Sequence, residues 1–409
     1  MSKHSKKYLT SRNFIFSFGI IIILGLSFYG IYNIFYKNKT KNFEVKLNKN
    51  EKLYTITSVG NMMTHDAQIA GAKRDDGTYS FDKSFEYVKN YIKDSNLSIG
   101  VFEGNVNGGK PEGYPTFNSP NEFLEALKNT GFDVINYASN HVIDQGTKGL
   151  KSTMKKSTND GLINLGVKVN KDDKNYIIYD IDGHKVGLFA YTYRTGANSI
   201  NSIRIPNEIK PLVNSFSYDD LPSLYKSIQS SIDDMKKEGV EFIIGSFHWG
   251  DEYSTKVNKS QKEIANKMNE MGVDIVLGSH PHVIEPYEII TNNNHSTFVI
   301  YSQGNFLSNQ CYEEIKNSLT EDGLLIRFTL GLKKNKLYLD KYTIIPTWVY
   351  RRPKGNGLYT HMIVPVEAAI KDKTKFNLPD NAYIRAERSL NSTKDILGND
   401  FVGTKSFPN

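Results

Sequence analysis

From residue 53 onward, short apolar runs alternate with amphipathic segments, as strands alternate with helices. Five runs have the length and composition of buried strands: LYTITSVG, LSIGVF, FDVINYAS, FIIGSF and DIVLGS. Three of them directly follow helical segments that end at Gly131, Gly239 and Gly272. This alternation predicts an α/β domain with a buried, largely parallel sheet.

Two of the helical segments carry start signals. In SPNEFLEALKNTG we expect Ser119 to cap the helix and Glu122 to complete a capping box. In SQKEIANKMNEMG, Ser260 and Glu263 repeat that arrangement. Farther along, GLLIRFTLGLKKNKLYLDKYTII predicts two antiparallel strands joined by a turn at residues 333–335.

A different pattern precedes the domain. Phe14 to Phe35 is an uncharged, mainly apolar run whose helical length matches the ~30 Å core of a bilayer. It predicts a transmembrane anchor over 14–36, between a basic cytoplasmic tail over 1–13 and a polar stalk over 37–52; the positive-inside rule then puts the rest outside the cytoplasm. A cleaved signal peptide is the alternative, but the run is longer than a signal core and lacks a small-x-small cleavage site.

The net charge of +7 is concentrated near this anchor. Residues 1–46 hold eight Lys or Arg residues and one acid, Glu44, so the remainder is neutral overall. A basic segment beside a membrane explains the pI of about 9.0, and we expect no nucleic-acid partner. The single cysteine, Cys311, excludes an intrachain disulfide and a cysteine-rich zinc module.

Residue types that bind metals follow each of the five predicted strands. In chain order they are Asn61, Glu103, Asn140 with His141, His248, and the pair His280 and His282. Because the carboxyl ends of parallel strands share one sheet edge, these side chains are expected to converge. Singly, each has an ordinary explanation: His248 as a buried structural histidine, Asn140 as a helix cap. The repeated placement favours a metal site, and neutral imidazoles suit Zn, Mn or Fe.

The order of segments SVGNMMTHD, GVFEGN, YASNHVIDQG, FHWGDEY, GSHPHVIEPYE and YSQGNF resembles the CapA/PgsA family of capsule synthesis proteins. That family is linked to poly-γ-glutamate capsule production and has a calcineurin-like metallophosphoesterase fold. The resemblance covers roughly Leu53 to Gln310. It implies an α/β calcineurin-like metallophosphoesterase sandwich preceded by one transmembrane helix, with a domain over 53–350 and a C-terminal extension over 351–409.

The same resemblance implies a centre for one or two divalent ions (Mn, Zn or Fe) and a residue that acts beside the reacting phosphate. The implied metal ligands are Asn61, Glu103, Asn140, His248, His280 and His282. His141 is the implied catalytic residue, as an acid or an electrostatic partner.

Two positions depart from the family's pattern. The family has Gly-Asp after the first strand, where this chain has Gly60-Asn61, and Asn-Leu-Glu where it has Val-Phe-Glu at 101–103. An amide neutralises no charge, so Glu103 is left as the one aligned anionic ligand. Three acids could compensate for the missing carboxylate: Asp66, Asp144 and Asp251.

The resemblance favours a role in poly-γ-glutamate capsule biosynthesis, in polymer synthesis or export at the cell membrane. The implied partners are subunits of the polyglutamate synthase complex and the anionic polymer, for which any basic surface must be local because the outer part is neutral overall. The alternative is an active metal-dependent phosphoesterase acting on a phosphate ester outside the cytoplasm, with Arg194 as a candidate phosphate clamp. A ligand-binding sensor is disfavoured, since residues 1–13 are too short to signal.

Overall fold

The computed structural model describes residues 52–292 and 295–408, so the predicted tail, anchor and nearly all of the stalk lie outside the described residues. Within those two ranges, no helix combines the length and the apolar character needed to cross a bilayer.

The strands, in chain order, are β1 Tyr54–Met62, β2 Leu97–Phe102, β3 Val134–Asn136, β4 Ile163–Leu165, β5 Tyr176–Ile181, β6 His184–Tyr193, β7 Ser199–Ile200, β8 Ile203–Arg204, β9 Ser215–Phe216, β10 Phe242–His248, β11 Ile275–Ser279, β12 Tyr287–Asn292, β13 His295–Ile300, β14 Asn305–Leu307, β15 Asp322–Lys333, β16 Lys336–Gly355, β17 Leu358–Pro365 and β18 Thr404–Ser406. The α-helices are α1 Asp66–Ala72, α2 Asp82–Phe85, α3 Lys89–Lys93, α4 Asn121–Thr130, α5 Gly146–Asn159, α6 Leu221–Lys237, α7 Lys259–Glu270, α8 Tyr312–Ile315, α9 Val366–Lys371, α10 Lys373–Phe376 and α11 Asp380–Leu397.

These strands build two large sheets in a mixed α/β fold. The first has the order β17-β16-β15-β1-β2-β3-β4, with β14 paired to β1 and β18 to β16. The second has the order β12-β13-β11-β10-β6-β5, with β9 paired to β6. All five predicted strands are present, but the expectation of one sheet was wrong, because β5 and β6 form an antiparallel hairpin that starts a second sheet.

The centre of each sheet is parallel. In the first sheet β1, β2, β3 and β4 run in one direction, and in the second β6, β10, β11 and β13 do so. Antiparallel strands occupy the outer positions, including the predicted β15–β16 pair, whose turn lies at Lys334 and Asn335 as expected. Each sheet therefore presents a row of parallel carboxyl ends.

The two sheets pack face to face over an apolar core. Ile56 and Ile99 from the first sheet and Ile244, Ile275 and Phe298 from the second belong to one buried cluster. Burying a side chain of this size contributes about 1.5–3 kcal/mol. Helices cover both outer faces, with α4 and α5 on the first sheet and α6 and α7 on the second. The sandwich is thus held by apolar contact between its sheets.

Both predicted capping arrangements were wrong in detail. Helix α4 begins at Asn121 after Pro120, and no side chain caps it. Helix α7 begins two residues earlier than expected, where Asn258 and Gln261 form the capping box. In both segments the last residue with extended backbone before the helix, Pro120 or Asn258, is not the serine that the pattern predicted.

The chain beyond residue 350 belongs to the same compact unit as the part before it. The predicted boundary at 350 falls inside β16, and β17 then adds an outer strand to the first sheet. Helix α11 is fastened there by two arginines. Arg385 lies 2.5 Å from Glu321, and Arg388 lies 2.5 Å from Asp322. From Lys52 onward the chain is one compact unit.

Candidate metal centre

The carboxyl ends of the two sheets bring all six predicted ligands to one region. Each ligand follows a parallel strand or lies at its end, and each is buried. The first sheet supplies Asn61, Glu103 and Asn140, and the second supplies His248, His280 and His282. The six side chains thus lie at strand ends, as the sequence pattern predicts, and those ends belong to two sheets.

Glu103 lies between two of the imidazoles. Its Oε2 is 3.6 Å from His248 Nε2, and its Oε1 is 3.9 Å from His282 Nδ1. His248 Nε2 is also 2.8 Å from Asn140 Oδ1. Neither carboxylate oxygen of Glu103 has a hydrogen-bond partner within the described residues. A carboxylate, an amide oxygen and two imidazoles thus face a shared interior space.

Asn61 holds the two histidines of the His-Pro-His segment. Its Oδ1 accepts a hydrogen bond from the His280 main-chain N–H at 3.4 Å, and its Nδ2 lies 3.2 Å from His282 Nδ1. The second contact is a hydrogen bond only in the tautomer whose Nδ1 carries no proton, because the amide nitrogen is a donor. Asn61 therefore contacts both histidines of the segment.

The backbone at His280 and His282 is unusual. Both residues have positive φ angles, 103° and 60°, on either side of Pro281. Residues other than glycine rarely adopt positive φ angles, and such backbone strain persists where the surrounding structure enforces it. Nearby, a Cβ on Gly278 would lie 1.8 Å from the Tyr301 carbonyl oxygen, so only glycine fits there. This packing brings both imidazoles into the cluster, where His282 Nδ1 lies 3.9 Å from Glu103 Oε1 and the His280 ring centroid lies 4.8 Å from that of His248.

Three residues that sequence reasoning did not select orient the imidazoles. Ser279 Oγ lies 3.0 Å from His248 Nδ1, and Tyr193 OH lies 3.2 Å from His280 Nε2. Asn305 Oδ1 lies 3.0 Å from His282 Nδ1. The signal in the sequence that could have identified them is their position. Ser279 lies at the end of β11, Tyr193 at the end of β6 and Asn305 at the start of β14. Partners of this kind fix the orientation of metal-binding histidines.

Burial sets the protonation of the cluster. Desolvation raises the pKa of Glu103 well above its ordinary value, and the charges of Glu252 and Asp144 add to that rise. Desolvation lowers the pKa of His248 and His280 well below the ordinary value and that of His282 to about 3. The imidazoles are therefore neutral, the form that binds metals.

These donors fit a divalent cation. A buried carboxylate without a partner is costly, and a bound cation removes that cost. His280 Nδ1 is likewise buried without a hydrogen-bond partner in the described part of the chain. Neutral imidazoles with carboxylate and amide oxygens are a donor set for Zn, Mn or Fe.

A second carboxylate lies beside the histidines. Glu252, on the loop after β10, offers an oxygen that lies with ligand nitrogens of His280 and His282 within 4.8 Å of one another. This acid was not among the three expected to compensate for Asn61. Glu252 is the acid best placed to do so.

The three expected acids, Asp66, Asp144 and Asp251, accept hydrogen bonds from groups other than the six predicted ligands. Asp66 accepts a hydrogen bond from the Gly113 N–H, and Asp251 accepts one from the Asn258 amide. Asp144 accepts one from the Phe117 N–H and contacts His141. Sequence distance from a strand end does not tell which acid turns inward.

His141 lies in the wall of a cleft over this cluster. Its Nδ1 is 2.7 Å from Asp144 Oδ2, and its ring meets the edge of Phe117 at a centroid distance of 4.7 Å. Both contacts fix the ring. An imidazole paired with a buried carboxylate is an arrangement used for proton transfer or for stabilising negative charge.

The cleft has a volume of about 800 Å³. Its wall includes Asn140, His141, Glu252 and His282, and no Lys or Arg lines it among the described residues. Arg194, the candidate phosphate clamp, is not in the wall and donates to the Ala197 carbonyl oxygen. The wall therefore offers an anion no Lys or Arg side chain in the described part of the chain.

Comparison with known proteins finds one family model and several related proteins. Residues 55–310 match the family model described as bacterial capsule synthesis protein PGA_cap. The chain is 32% identical over 283 residues to the capsule biosynthesis protein CapA of Bacillus anthracis, covering 67% of this chain and 64% of that protein. It is 28% identical over 260 residues to the PGA biosynthesis protein CapA of Bacillus subtilis, covering 62% of each. The matches span less than two thirds of either relative.

Among solved structures, the chain is similar to the calcineurin-like phosphoesterase YfkN of Bacillus subtilis. The identity is 14% and the TM-score 0.41, over 73% of this chain and 91% of that chain.

Proposed function

This chain belongs to the bacterial capsule synthesis protein family PGA_cap, and we propose that it acts in poly-γ-glutamate capsule biosynthesis through a divalent metal centre at the floor of its cleft. The names of its relatives support the biosynthetic role. In this proposal residues 14–36 anchor the chain in the cell membrane, and the part from residue 53 onward lies outside the cytoplasm.

One observation carries the metal centre. Both oxygens of Glu103 are buried without hydrogen-bond partners, 3.6 Å and 3.9 Å from the imidazole nitrogens of His248 and His282. No cationic side chain of the cleft wall is available to neutralise that carboxylate. A divalent ion held by the six predicted ligands, with Glu252, supplies the missing positive charge.

A bound divalent ion supplies Lewis acidity and lowers the pKa of coordinated water. The chain's own residues supply orientation and exclusion of solvent. Asn61, Asn140 and Ser279 hold the imidazoles, and His141, held by Asp144, stands in the cleft wall with a ring nitrogen able to carry a proton.

The partners follow from the same proposal. In this proposal the membrane anchor places the outer part beside subunits of the polyglutamate synthase complex. The polymer itself is anionic. Because the chain beyond residue 46 is neutral overall, any basic surface for that polymer must be local, and the charge gives no support to a nucleic-acid partner.

A second candidate function is hydrolysis of a phosphate ester at this centre. The His141–Asp144 pair favours it, because a purely structural metal site needs no oriented imidazole in an open cleft wall. The two functions are separated by assaying the purified chain with phosphomonoester and phosphodiester substrates in the presence of Mn²⁺, Zn²⁺ or Fe²⁺.

The test in cells replaces the chromosomal copy with His282→Ala and measures polyglutamate at the cell surface. The matched control is His295→Gln, which changes a histidine bound to the Val273 carbonyl, away from the cleft. We expect surface polymer to be lost in the first strain and kept in the second. Normal polymer in the His282→Ala strain, with normal protein level, would contradict a role for the metal centre.

A further inference from the structure

A second, smaller pocket lies away from the metal cleft. It has a volume of about 210 Å³ and is formed by the end of α1, by α2 and by the hairpin of β16 and β17. Four cationic residues line it, and we call it the basic pocket: Lys73, Arg74, Lys83 and Lys354. Ser84 and Thr360 add hydroxyl groups, the Ser80 hydroxyl donates to Asp82 at 2.9 Å, and no Asp or Glu lines the pocket among the described residues.

The pocket depends on a close approach of two backbones. A Cβ on Gly71 would lie 1.9 Å from the Tyr359 carbonyl oxygen, so α1 packs directly on β17 only because residue 71 is glycine. Lys354 Nζ donates to the Gly71 carbonyl oxygen at 2.5 Å. That bond satisfies a carbonyl at the end of α1, which would otherwise repel an anion.

The positive charge of the pocket is only partly neutralised. Lys83 pairs with Glu86 at 2.9 Å, and Arg74 lies 3.9 Å from Asp82, both on exposed surface. Lys73 and Lys354 have no carboxylate partner within the described ranges. Like charges gathered around a concave site focus the potential there and attract counter-ions.

The contrast with the metal cleft is direct. That cleft carries Glu252 and Glu314, and no Lys or Arg of the described residues lines it, so its walls attract an anionic chain less than the basic pocket does. The two sites are neighbours, since His361 lines the basic pocket and its Nε2 lies 2.7 Å from Asn309 Oδ1, which belongs to the wall of the metal cleft.

We propose that the basic pocket binds an oxyanion, a carboxylate or a phosphate, of an anionic ligand. Ammonium and guanidinium groups form charge-assisted hydrogen bonds with either group, and the pocket's hydroxyls complete the donor set. Binding at the basic pocket requires no metal ion, so a test of this proposal is independent of a test of the metal centre.

The experiment measures binding to the full-length chain in detergent micelles by calorimetry, after removal of metals with a chelator. One arm uses a short γ-linked glutamate oligomer and the other inorganic phosphate. The variant is Lys73→Gln with Lys83→Gln, both exposed side chains. The matched control is Lys155→Gln with Lys336→Gln, which removes the same charge from exposed lysines outside the pocket.

We expect the pocket variant to bind at least about tenfold more weakly than wild type, the control to bind like wild type, and the affinity to fall with added salt. Loss confined to the oligomer arm identifies a polycarboxylate as the ligand, and loss confined to the phosphate arm identifies a phosphate-bearing one. Equal weakening in variant and control, or no binding in either arm at millimolar concentration, would overturn the proposal. Unchanged circular dichroism spectra exclude misfolding as the cause.

Discussion

His248 Nε2 lies 2.8 Å from Asn140 Oδ1, and the contact joins the carboxyl end of the second sheet to that of the first. Both residues are buried. The relative position of the two sheets therefore also sets the position of the donors, and a metal ion held between them would lock the sheets together.

Asn140→Ala tests this coupling. The substitution leaves His248 Nε2 buried without its amide partner, which costs about 1–3 kcal/mol, and it removes one oxygen donor from the centre. We expect a lower melting temperature and a smaller stabilisation by added metal. Thermal unfolding with and without chelator measures both, and Asn266→Ala, on the exposed face of α7, is the control. If both variants melt alike, the contact between the sheets does not matter.

The charge balance of the centre predicts a compensating pair. Glu252→Gln should reduce bound metal by about tenfold or more, since Asn61 contributes no charge and Glu103 is then the only carboxylate left. Adding Asn61→Asp to that variant restores an anionic donor, and we expect metal content to recover in part. Equilibrium dialysis followed by elemental analysis gives the result. Recovery is the decisive sign, because a merely damaged fold would not regain metal.

The second candidate function makes its own prediction. If the centre hydrolyses a phosphate ester, His141→Ala should lower kcat/KM by about 10²–10⁴ and leave metal content unchanged. Asp144→Asn should have a smaller effect, because it misorients the imidazole without removing it. Activity that survives both changes would remove His141 from the reaction.

Glu285 predicts a pH dependence of stability. Burial raises the pKa of this carboxyl from 4.5 to about 7, against a hydrogen bond from Gln261 that lowers it. The folded state thus prefers the protonated form, and its stability is full below pH 4.5 and declines as the pH rises toward 7, by about 3 kcal/mol in total. Glu285→Gln should match wild type near pH 4.5 and exceed it at pH 8. Thermal unfolding at both values checks this, and a wild type that is equally stable or more stable at pH 8 would contradict it.

The sequence predicts the positions of the side chains at the strand ends well. Residues such as Glu103 and His248 follow strongly apolar runs, so their placement was readable from local pattern alone. The division into two sheets was not, because sheet membership depends on pairings between strands far apart in the chain. The resemblance to a known family supplied the sandwich that periodicity could not.

The missed residues show a second limit. Glu252 follows β10 in a loop whose course is set by packing, and Tyr253 beside it has a positive φ of 65°. Nothing in the sequence tells which of Asp251 and Glu252 faces the histidines. For the extension over 351–409 the pattern predicted no structure. There α11 is held by ion pairs to Glu321 and Asp322, and a pairing over more than sixty positions leaves no periodic signal.

The metal content of the purified full-length chain tests the central claim most directly. Wild type and Glu103→Gln are loaded with Mn²⁺, Zn²⁺ or Fe²⁺, dialysed, and measured by elemental analysis, with folding checked by circular dichroism. We predict at least one divalent ion per wild-type chain and its loss from the variant. A folded wild type that retains no metal, or a variant that retains as much as wild type, would contradict the account.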